Sequence, residues 1–291
     1  MQWISDAWEE YEVLDATDGY RLESWCGKIL VRPDPQVIWY TDRADARWNR
    51  YDAKYLRSNT GGGHWDIRHL PESWQLHYKD YLTFNVKPMN FKHTGVFPEQ
   101  AANWDYIRDK VRNAGRPVKV LNLFAYSGGA TLAAAAGGAE VWHVDAAKGM
   151  VAMAKENALA SGLEDRPIHW IVDDCAKFIQ REIRRGRKYD GIIMDPPSYG
   201  RGPSGEIWKM ERDFYGFLQT VAQVLSDDPL FVIINSYTTG LAPSAVGYIA
   251  DSVFGPKYGG HTECGELGLP VKSSGLMLPC GAAGRWTPGK K

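Results

Sequence analysis

Residues 118–129 read VKVLNLFAYSGG, and this stretch decides the fold. Its first half, VKVLNL, is a short run rich in valine and leucine, which is typical of a buried parallel strand. Residues 126–129 then turn the chain, and the alanine-rich segment at 130–136 has the composition of a helix. A turn made of small residues lets a ligand approach the backbone and presents unpaired N–H groups at the start of the helix. The stretch therefore predicts a strand, a ligand-binding turn and a helix in succession.

A second apolar segment, EVWHVD, ends at Asp145, which is 17 residues beyond Gly128 (145 − 128). An acidic residue about 20 residues after the first glycine of such a turn is where the ribose hydroxyls of a nucleotide bind. The turn does not follow the G-x-G-x-x-G pattern of pyrophosphate sites. The sequence therefore favours a nucleoside over a dinucleotide as the ligand.

The composition is that of an ordinary globular protein, with 44% hydrophobic and 24% charged residues among 291, enough for one large or two smaller domains. The net charge of −1 means that a polyanion could bind only through a local patch. The four cysteines show no C-x-x-C spacing, so we expect neither a metal site nor disulfides, and a reducing, cytoplasmic setting. The N-terminal stretch lacks an apolar run and no segment is long enough to span a bilayer, so we expect no signal peptide and no membrane partner.

The first 90 residues differ from the rest and predict a small β-rich N-terminal domain at 1–90. Short apolar segments such as KILVRP and VIWY alternate with turns in this region. Seven of the 12 tryptophans lie here, at Trp3, Trp8, Trp25, Trp39, Trp48, Trp65 and Trp74. They could pack the core of a small domain or stack on nucleic-acid bases, which would make the domain a substrate-recognition module.

Residues 91–291 alternate between strand and helix patterns after a first helix at 100–113, which predicts an α/β fold. The strands are predicted at 118–123, 140–145, 168–172, 189–195 and 230–235, and the helices at 129–137, 147–161, 175–185, 209–225 and 242–253. Regular alternation indicates a Rossmann-like, mostly parallel sheet covered on both faces. Two further strands near the end, GELGLP and GLMLPCG, have no helix between them and predict an antiparallel addition.

Polar residues end several of these strands, where ligands of an open α/β sheet bind. They are Asp145, Asp173, Asp174, Asp195, Asn235 and Ser236. Taken alone, Asp174 reads equally well as the N-cap of the next helix. Acidic residues at three strand ends beyond a glycine turn point instead to a shared site.

Asp195 begins the sharpest motif, DPPS, at residues 195–198. Two prolines fix φ and supply no N–H, so Asp195, Pro196 and Pro197 should form a stiff loop that is rich in hydrogen-bond acceptors. Such a loop suits an amino group or an N–H ring edge that must be held while it attacks an electrophile. The alternative is a rigid strand-to-loop turn with no chemical role.

From about His93 to Arg285 the chain resembles the class I S-adenosylmethionine-dependent methyltransferases. It is most similar to the bacterial 23S ribosomal RNA large-subunit methyltransferases, whose motifs are LNLFAY(S/T)GG and DPPS(F/Y)G. The matching stretches here are LNLFAYSGG, HVDAAKGMVAMAKENALASG, IVDDCAKFI and YDGIIMDPPSYGRG. The resemblance implies S-adenosylmethionine as the cofactor, no metal, and RNA as the acceptor.

The resemblance also implies a role for individual residues. The glycine turn would cradle the methionine and sulfonium, Asp145 would bind the ribose, and Asp174 the adenine amino group. Asp195, Pro196 and Pro197 would face the methyl group and the acceptor as catalytic residues. The predicted cofactor-binding residues are Phe97, Glu99, Gln100, Asn122, Phe124, Ala125, Tyr126, Ser127, Gly128, Gly129, Asp145, Ala146, Asp173, Asp174 and Asp195.

One departure from the family bears on the reaction. Relatives that methylate carbon 5 of cytosine carry a cysteine after the fifth strand, because a thiolate must first add to the ring. Here the corresponding segment reads FVIINSYTTG and contains no cysteine. Transfer to nitrogen or oxygen is therefore favoured. Methylation of a small molecule or a protein, and a binding protein without transfer activity, stay open as alternatives, and the missing G-x-G-x-x-G weakens a nicotinamide dehydrogenase.

The strongest basic cluster, REIRRGRK at 181–188, ends a predicted helix just before the strand that leads to Asp195. This places it at the edge of the sheet opposite the predicted site. Cations at a helix C-terminus complement the helix dipole. We therefore favour a solvated helix end over an RNA contact.

Overall fold

The computed structural model describes residues 1–58, 62–201 and 207–289. Within these residues the strands, numbered in chain order, are β1 (Gln2–Ile4), β2 (Tyr11–Thr17), β3 (Tyr20–Trp25), β4 (Lys28–Pro33), β5 (Ala53–Arg57), β6 (Gly63–Ile67), β7 (Trp74–Tyr78), β8 (Leu82–Val86), β9 (Lys119–Leu123), β10 (Glu140–Asp145), β11 (Ile168–Val172), β12 (Gly191–Met194), β13 (Tyr199–Arg201), β14 (Ile207–Lys209), β15 (Phe231–Ser236), β16 (His261–Pro270) and β17 (Met277–Thr287). The helices are α1 (Ala101–Arg112), α2 (Gly129–Gly137), α3 (Lys148–Ala160), α4 (Cys175–Arg184), α5 (Met210–Ala222) and α6 (Pro243–Tyr258).

The largest sheet in the described ranges has the strand order β1-β16-β17-β15-β12-β9-β10-β11. The pairs from β15 to β11 are parallel, and β17 runs antiparallel to β15. Helices separate the consecutive parallel strands along the chain. The predicted fold class, a Rossmann-like and mostly parallel sheet with an antiparallel C-terminal strand and a β-rich N-terminal region, is confirmed.

The centre of this sheet is buried because its strands are apolar on both faces. Val120, Leu121 and Leu123 of β9 and Ile192 and Met194 of β12 are all fully buried. Burying a side chain of this size stabilises the fold by about 1.5–3 kcal/mol. The valine- and leucine-rich stretch at 118–123 is therefore a core strand, as its sequence indicates.

The strand order also fixes where a ligand can enter. From β9 the chain moves outward through β10 and β11, and it then returns to the other side of β9 to form β12 and β15. The crevice at such a reversal, beyond the carboxyl ends of the strands, is the binding position in open α/β sheets. In this sheet the reversal lies between β9 and β12.

The chain divides into two compact units. The larger comprises residues 1–3, 102–267 and 281–291, and the smaller comprises residues 4–101 and 268–280. The sequence places a domain boundary at residue 90, whereas the compact units change over at residue 101. The smaller unit also takes in 268–280, because Val271 bridges to Val13 and Lys272 N–H donates to the Val13 carbonyl at 2.9 Å.

The smaller unit contains a sheet with the order β2-β3-β4-β5-β6, and β7 pairs with β8. Its tryptophans are used in two ways. Trp8, Trp25 and Trp48 are buried in the core, whereas Trp39 is exposed, and the Trp65 indole donates to the Met89 carbonyl at 2.9 Å. Core packing therefore accounts for some of the tryptophans and leaves Trp39 at the surface.

Candidate active site

The glycine turn, Asp145 and the DPPS loop emerge side by side from the large sheet. Leu123, the last residue of β9, pairs with Val144 of β10 on one side and with Met194 of β12 on the other. The residues that follow these partners are Phe124, Asp145 and Asp195. Adjacent strands lie about 4.8 Å apart, so the register brings the predicted methionine, ribose and acceptor residues to one edge.

The turn after β9 has an unusual backbone. Phe124 and Tyr126 have φ values of 55° and 50°, in the left-handed region that residues with a side chain rarely adopt. Gly128 has φ 92° and precedes α2. For Phe124 and Tyr126 the left-handed conformation costs on the order of 1–3 kcal/mol per residue, whereas glycine adopts it readily. Such conformations persist where the surrounding structure stabilises them, often at ligand sites.

The glycines of the turn are also required by their neighbours. A Cβ at Gly128 would lie 3.0 Å from the Cβ of Ala154. A Cβ at Gly129 would lie 2.6–2.9 Å from the indole of Trp104. The start of α2 is therefore packed closely by α3 and α1, which leaves no room for a side chain at either glycine.

Asp145 holds this turn in place. Its Oδ2 accepts the N–H of Tyr126 and its Oδ1 accepts the N–H of Ala147, both at 2.8 Å. A carboxylate offers about four lone-pair positions. Two acceptor positions are therefore left for hydroxyl groups of a ligand, and the half-buried carboxylate is already oriented. Ala146, between Asp145 and Ala147 in the chain, is exposed, and its contact with a cofactor stays a prediction.

Buried hydrogen bonds stabilise the turn from the protein interior. Asn122 Nδ2 donates to Thr131 Oγ1 at 2.9 Å, and Thr131 Oγ1 lies 2.9 Å from His143 Nδ1. Burial lowers the pKa of His143 to about 3, so the ring is neutral at physiological pH. Asn157 Nδ2 donates to the carbonyl of Ser127 at 2.9 Å. The structure thus places Asn122 in the support of the turn, and its contact with a cofactor stays a prediction.

The third strand end, after β11, uses its carboxylates for the protein itself. Asp174 Oδ1 accepts the N–H of Lys177 at 2.9 Å, which is the N-cap geometry of α4. Asp173 Oδ1 accepts the N–H of Asp174, and its carboxylate pairs with Arg181. The capping interpretation of Asp174 is therefore observed, and its contact with adenine stays a prediction.

The DPPS loop is held by contacts that its sequence does not reveal. Pro196 is buried and Pro197 is exposed. The Trp208 indole N–H donates to the carbonyl of Pro197 at 2.6 Å, so this acceptor is already engaged by another side chain of the protein. Ser198 accepts a hydrogen bond from the hydroxyl of Thr238 at 2.9 Å.

Trp208 also connects the loop to the glycine turn. Its ring centre lies 6.3 Å from that of Phe124 and 5.6 Å from that of Phe217. The short antiparallel pair β13–β14 brings Trp208 back beside the loop. Sequence reasoning missed this residue because a pairing of two three-residue strands leaves no periodic signal.

The end of β15, the fifth strand of the predicted series, carries polar side chains that are hydrogen-bonded within the protein. Asn103 Nδ2 donates to Asn235 Oδ1 at 2.9 Å, and Arg285 Nε donates to Asn103 Oδ1 at 2.9 Å. Burial lowers the pKa of Arg285 to about 10. Asn235 and Ser236 are both buried, so this strand end joins α1 and β17 to the sheet.

Three predicted cofactor residues lie in the smaller unit. Phe97 precedes the short 3₁₀ turn Pro98–Gln100, in which Glu99 and Gln100 are buried. The carbonyl of Glu99 accepts the hydroxyl of Ser5 at 2.7 Å, and the Phe97 ring lies 5.2 Å from that of His93. Their role in cofactor binding stays a prediction.

The thiols are poor candidates for a nucleophile. Burial raises the pKa of Cys175 and of Cys280, and burial together with the Glu10 carboxylate raises the pKa of Cys26 to about 12. The Cys175 sulfur accepts the N–H of Phe124 at 3.3 Å and therefore belongs to the support of the turn. Cys264 is half-buried on β16.

The basic cluster at the end of α4 serves the fold. Arg185 pairs with the buried Glu182 at 2.8 Å, and Arg187 approaches the same carboxylate at 3.5 Å. Lys188 donates to the carbonyl of Gln223 at 2.6 Å. Most of these cations thus have partners at this end of the helix.

The described ranges contain neither a cluster of metal-binding side chains nor a helix that could span a membrane. In residues 1–58, 62–201 and 207–289, no group of three or more His, Cys, Asp or Glu side chains could hold a metal ion. No helix in the same part of the chain has both the length and the apolar character to cross a membrane.

Comparison with known proteins identifies the family. The model of the S-adenosylmethionine-dependent methyltransferases matches residues 52–242. This chain belongs to that family. The crystal structure of the SAM-dependent methyltransferase from Agrobacterium tumefaciens is 36% identical, has a TM-score of 0.92, and matches over 99% of this chain and 94% of that one. The resemblance carried by the glycine turn and DPPS motifs is confirmed, and S-adenosylmethionine is the cofactor of the family.

One further relative and one further solved structure extend the comparison. The ribosomal RNA large subunit methyltransferase K/L of Shewanella frigidimarina is 30% identical over 155 residues, which are 53% of this chain and 21% of that protein. The chain thus spans only about a fifth of that relative. SMU.776, a methyltransferase complexed with SAH, is 19% identical with a TM-score of 0.67 over 96% of this chain and 76% of that one, which shows a shared fold.

Proposed function

We propose that this methyltransferase transfers the methyl group of S-adenosylmethionine to a nitrogen or oxygen atom of an RNA base, in ribosomal RNA. The observation that carries the proposal is the meeting of the glycine turn, Asp145 and the DPPS loop at the reversal of strand order. Each of the three elements supplies one part of a transfer site: a cradle for the methionine, an anchor for the ribose, and a rigid acceptor loop.

The cofactor would lie across the carboxyl edge of β9 and β10. Its ribose hydroxyls would donate to the two open acceptor positions of Asp145, and its methionine end would meet the backbone of residues 124–129. Hydrogen bonds to a charged group contribute about 1.5–3 kcal/mol each. The turn is already held by Asp145 before the ligand arrives, so little ordering is left for binding to accomplish.

Asp195 would orient the acceptor. It follows the last paired residue of β12 and is fixed by two prolines, one of them buried. A sulfonium methyl group is already activated, so the protein has mainly to align the attacking atom with it. Well-aligned intramolecular reactions show that positioning can remove roughly 7–11 kcal/mol of a barrier.

The preference for nitrogen or oxygen over carbon as the acceptor atom rests on the positions and pKa values of the cysteines. Methylation at carbon 5 of a pyrimidine needs a thiolate that first adds to the ring. The strand that carries this cysteine in the relevant relatives has Asn235 and Ser236 here, and both are buried. Burial holds the pKa of Cys175 and Cys280 above the ordinary value of a thiol. RNA as the acceptor is supported by the similarity to the Shewanella ribosomal RNA methyltransferase.

The direct test is incorporation of label from methyl-tritiated S-adenosylmethionine into fractionated cellular RNA, protein and small molecules. We expect label in RNA, and nuclease digestion of the labelled RNA would identify the modified base and atom. Label confined to protein or to small molecules would contradict an RNA acceptor. Absence of label in all fractions, with the cofactor bound, would favour a binding protein.

Single-turnover transfer to the identified acceptor tests the mechanism. Asp195→Ala should leave cofactor affinity nearly unchanged and reduce transfer by two or more orders of magnitude, because the residue acts on the transition state. Cys264→Ala and Cys280→Ala should transfer at close to the wild-type rate. The matched control is Asp228→Ala, which removes an exposed carboxylate that pairs with Arg116. If a cysteine variant abolishes transfer while Asp195→Ala is tolerated, the reaction is methylation at carbon through a thiolate.

A further inference from the structure

A second concave site lies in the smaller unit, for which the methyltransferase chemistry gives no role. It is a cavity of about 370 Å³, and its lining includes Tyr20, Trp48, Tyr51, Arg43, Lys54 and Arg68. We call it the aromatic cleft. Two half-buried tyrosine rings, the buried Trp48 and three cations thus line a space large enough for a nucleotide-sized group.

Each cation of the aromatic cleft lies over one of its rings. The Arg68 guanidinium carbon is 3.8 Å from the centre of the Tyr51 ring, and the Arg68 side chain is 44% exposed. Lys54 Nζ lies 5.1 Å from the Tyr20 ring, and Arg43 lies 5.0 Å from the ring of Trp48. A guanidinium plane stacked on a ring on one side can accept a nucleobase on its other side.

The charge balance of the cleft is positive. Arg43 pairs with Asp18 at 3.2 Å, and Arg68 approaches Asp66 at 3.7 Å. In the described ranges no acidic side chain forms an ion pair with Lys54, which projects from β5 into the cleft. The net charge of the whole chain is −1, so this is a local excess of the kind that a phosphate requires.

Exposed aromatic residues continue the surface beyond the cleft. Ile38 is 83% exposed and Tyr40 is 79% exposed, with Trp39 between them. The segment is held in position, because the Trp39 carbonyl accepts the N–H of Asp18 at 2.8 Å and the Trp39 indole donates to the Ala16 carbonyl at 2.8 Å. Asp18 itself lines the cleft. Trp39 therefore meets the cleft at Asp18, and the exposed Tyr40 is the next residue in the chain.

We propose that this surface of the smaller unit, formed by the aromatic cleft and Tyr40, binds unpaired RNA. Cations that meet phosphates, combined with rings on which bases stack, are the two components of sites for single strands. A duplex keeps its base faces inside and could use only the cations. The inference rests on RNA as the acceptor in the proposed function, and it assigns the smaller unit the task of holding an unpaired stretch of that substrate.

The test is fluorescence anisotropy of a labelled, unstructured 12-nucleotide RNA with the 291-residue chain in the absence of cofactor. Lys54→Glu should weaken binding about tenfold and reduce the slope of log K against log salt by about 0.7, the value for one lost contact to a single-strand phosphate. Tyr40→Ala should weaken binding about tenfold with an unchanged salt slope, because stacking is not electrostatic. The matched control is Lys79→Glu, whose ammonium also lies over a ring, that of Tyr78 at 5.4 Å, but outside the cleft.

The outcomes separate this inference from the proposed function. Thermal unfolding of each variant verifies the fold, and Lys54→Gln replaces Lys54→Glu if the charge reversal lowers Tm. Weaker RNA binding by the Lys54 and Tyr40 variants, with the Lys79 control unchanged, supports the inference even if methyl transfer to RNA is absent. The inference is overturned if the Lys54 and Tyr40 variants both bind RNA with wild-type affinity, or if a duplex of the same sequence competes with the labelled RNA as well as the single strand does. Either result overturns it even if methyl transfer to RNA is present.

Discussion

Asp145 serves both the protein and its ligand, and replacing it by alanine should affect two measurable quantities. The variant loses the acceptors of two backbone N–H groups, each at 2.8 Å, and the two open positions that we assign to the ribose. The Tyr126 bond is partly buried and its residue has φ 50°, so this bond offsets the cost of an unfavourable backbone conformation. Asp145→Ala should therefore both destabilise the turn and weaken the binding of the cofactor.

The magnitudes follow from the bonds removed. Loss of hydrogen bonds to a charged acceptor should reduce cofactor affinity by about 1.5–3 kcal/mol, which is about 10- to 150-fold in Kd. The free energy of unfolding should fall by about 1–3 kcal/mol, mainly from the Tyr126 bond, because water can replace the more exposed bond to Ala147. Asp165→Ala is the matched control, since it removes an exposed carboxylate from the loop before β11.

Calorimetry with S-adenosylmethionine and S-adenosylhomocysteine gives the affinities, and urea unfolding gives the stability. An analogue of S-adenosylhomocysteine without its ribose hydroxyls makes the test specific. Wild-type protein should bind this analogue about as weakly as Asp145→Ala binds the complete ligand, and the variant should not discriminate between the two ligands. If folded Asp145→Ala binds the complete ligand within twofold of the wild-type affinity, Asp145 is not the ribose anchor.

Three further outcomes test the support of the site. Gly129→Ala should lower stability by about 1–3 kcal/mol in urea unfolding, because its Cβ would lie within 2.9 Å of the Trp104 indole; Gly149→Ala, with nothing within 4 Å of the added Cβ, should not. His143 has a folded pKa of about 3, below its unfolded value of about 6.5, so its contribution is complete above pH 6.5 and is lost as pH falls toward 3. His143→Asn should accordingly reduce the slope of stability against pH in that window by up to about 1.4 kcal/mol per pH unit, and an unchanged slope would show that the ring takes up its proton equally in the folded and unfolded states. Asp174→Ser keeps an N-cap and removes the carboxylate, so it should retain stability and weaken the cofactor if Asp174 meets adenine, whereas unchanged affinity in calorimetry would limit Asp174 to the cap.

The sequence predicts the central sheet well, because its strands carry strong signals. The apolar segments around Leu121 and Val141 are followed by a glycine turn and by Asp145, and the five parallel strands begin and end within two residues of their predicted positions. The two C-terminal strands are longer than predicted, because β16 begins four residues before GELGLP and β17 ends six residues after GLMLPCG. Helix α6 extends beyond its predicted end at residue 253 to Tyr258, with Pro256 in its last turn. A proline indicates a helix end because it cannot donate an N–H to the carbonyl four residues earlier, here that of Ser252, but so close to the C-terminus only this one helical bond is lost.

Contacts between distant residues could not be predicted. Nothing in the local pattern indicates that Asn103 bonds to Asn235, or that Trp208 engages the carbonyl of Pro197. The dual use of Asp145 is hidden for the same reason, since a motif identifies a carboxylate but not its backbone donors. Sequence patterns record which residues share an element, whereas these bonds depend on how elements are placed in space.

The smaller unit is built from two distant parts of the chain, and this affects how it folds during synthesis. β2 lies at the edge of its sheet, and its outer side is paired by Val271 and Lys272, which follow Val13 by about 258 residues (271 − 13). During translation this edge therefore stays unpaired while every strand of the large sheet except β17 is made, and open strand edges are sites of aggregation. A fragment that ends at Ala101 would keep the edge open permanently, so the unit should be produced with residues 268–280 joined to it through a short linker.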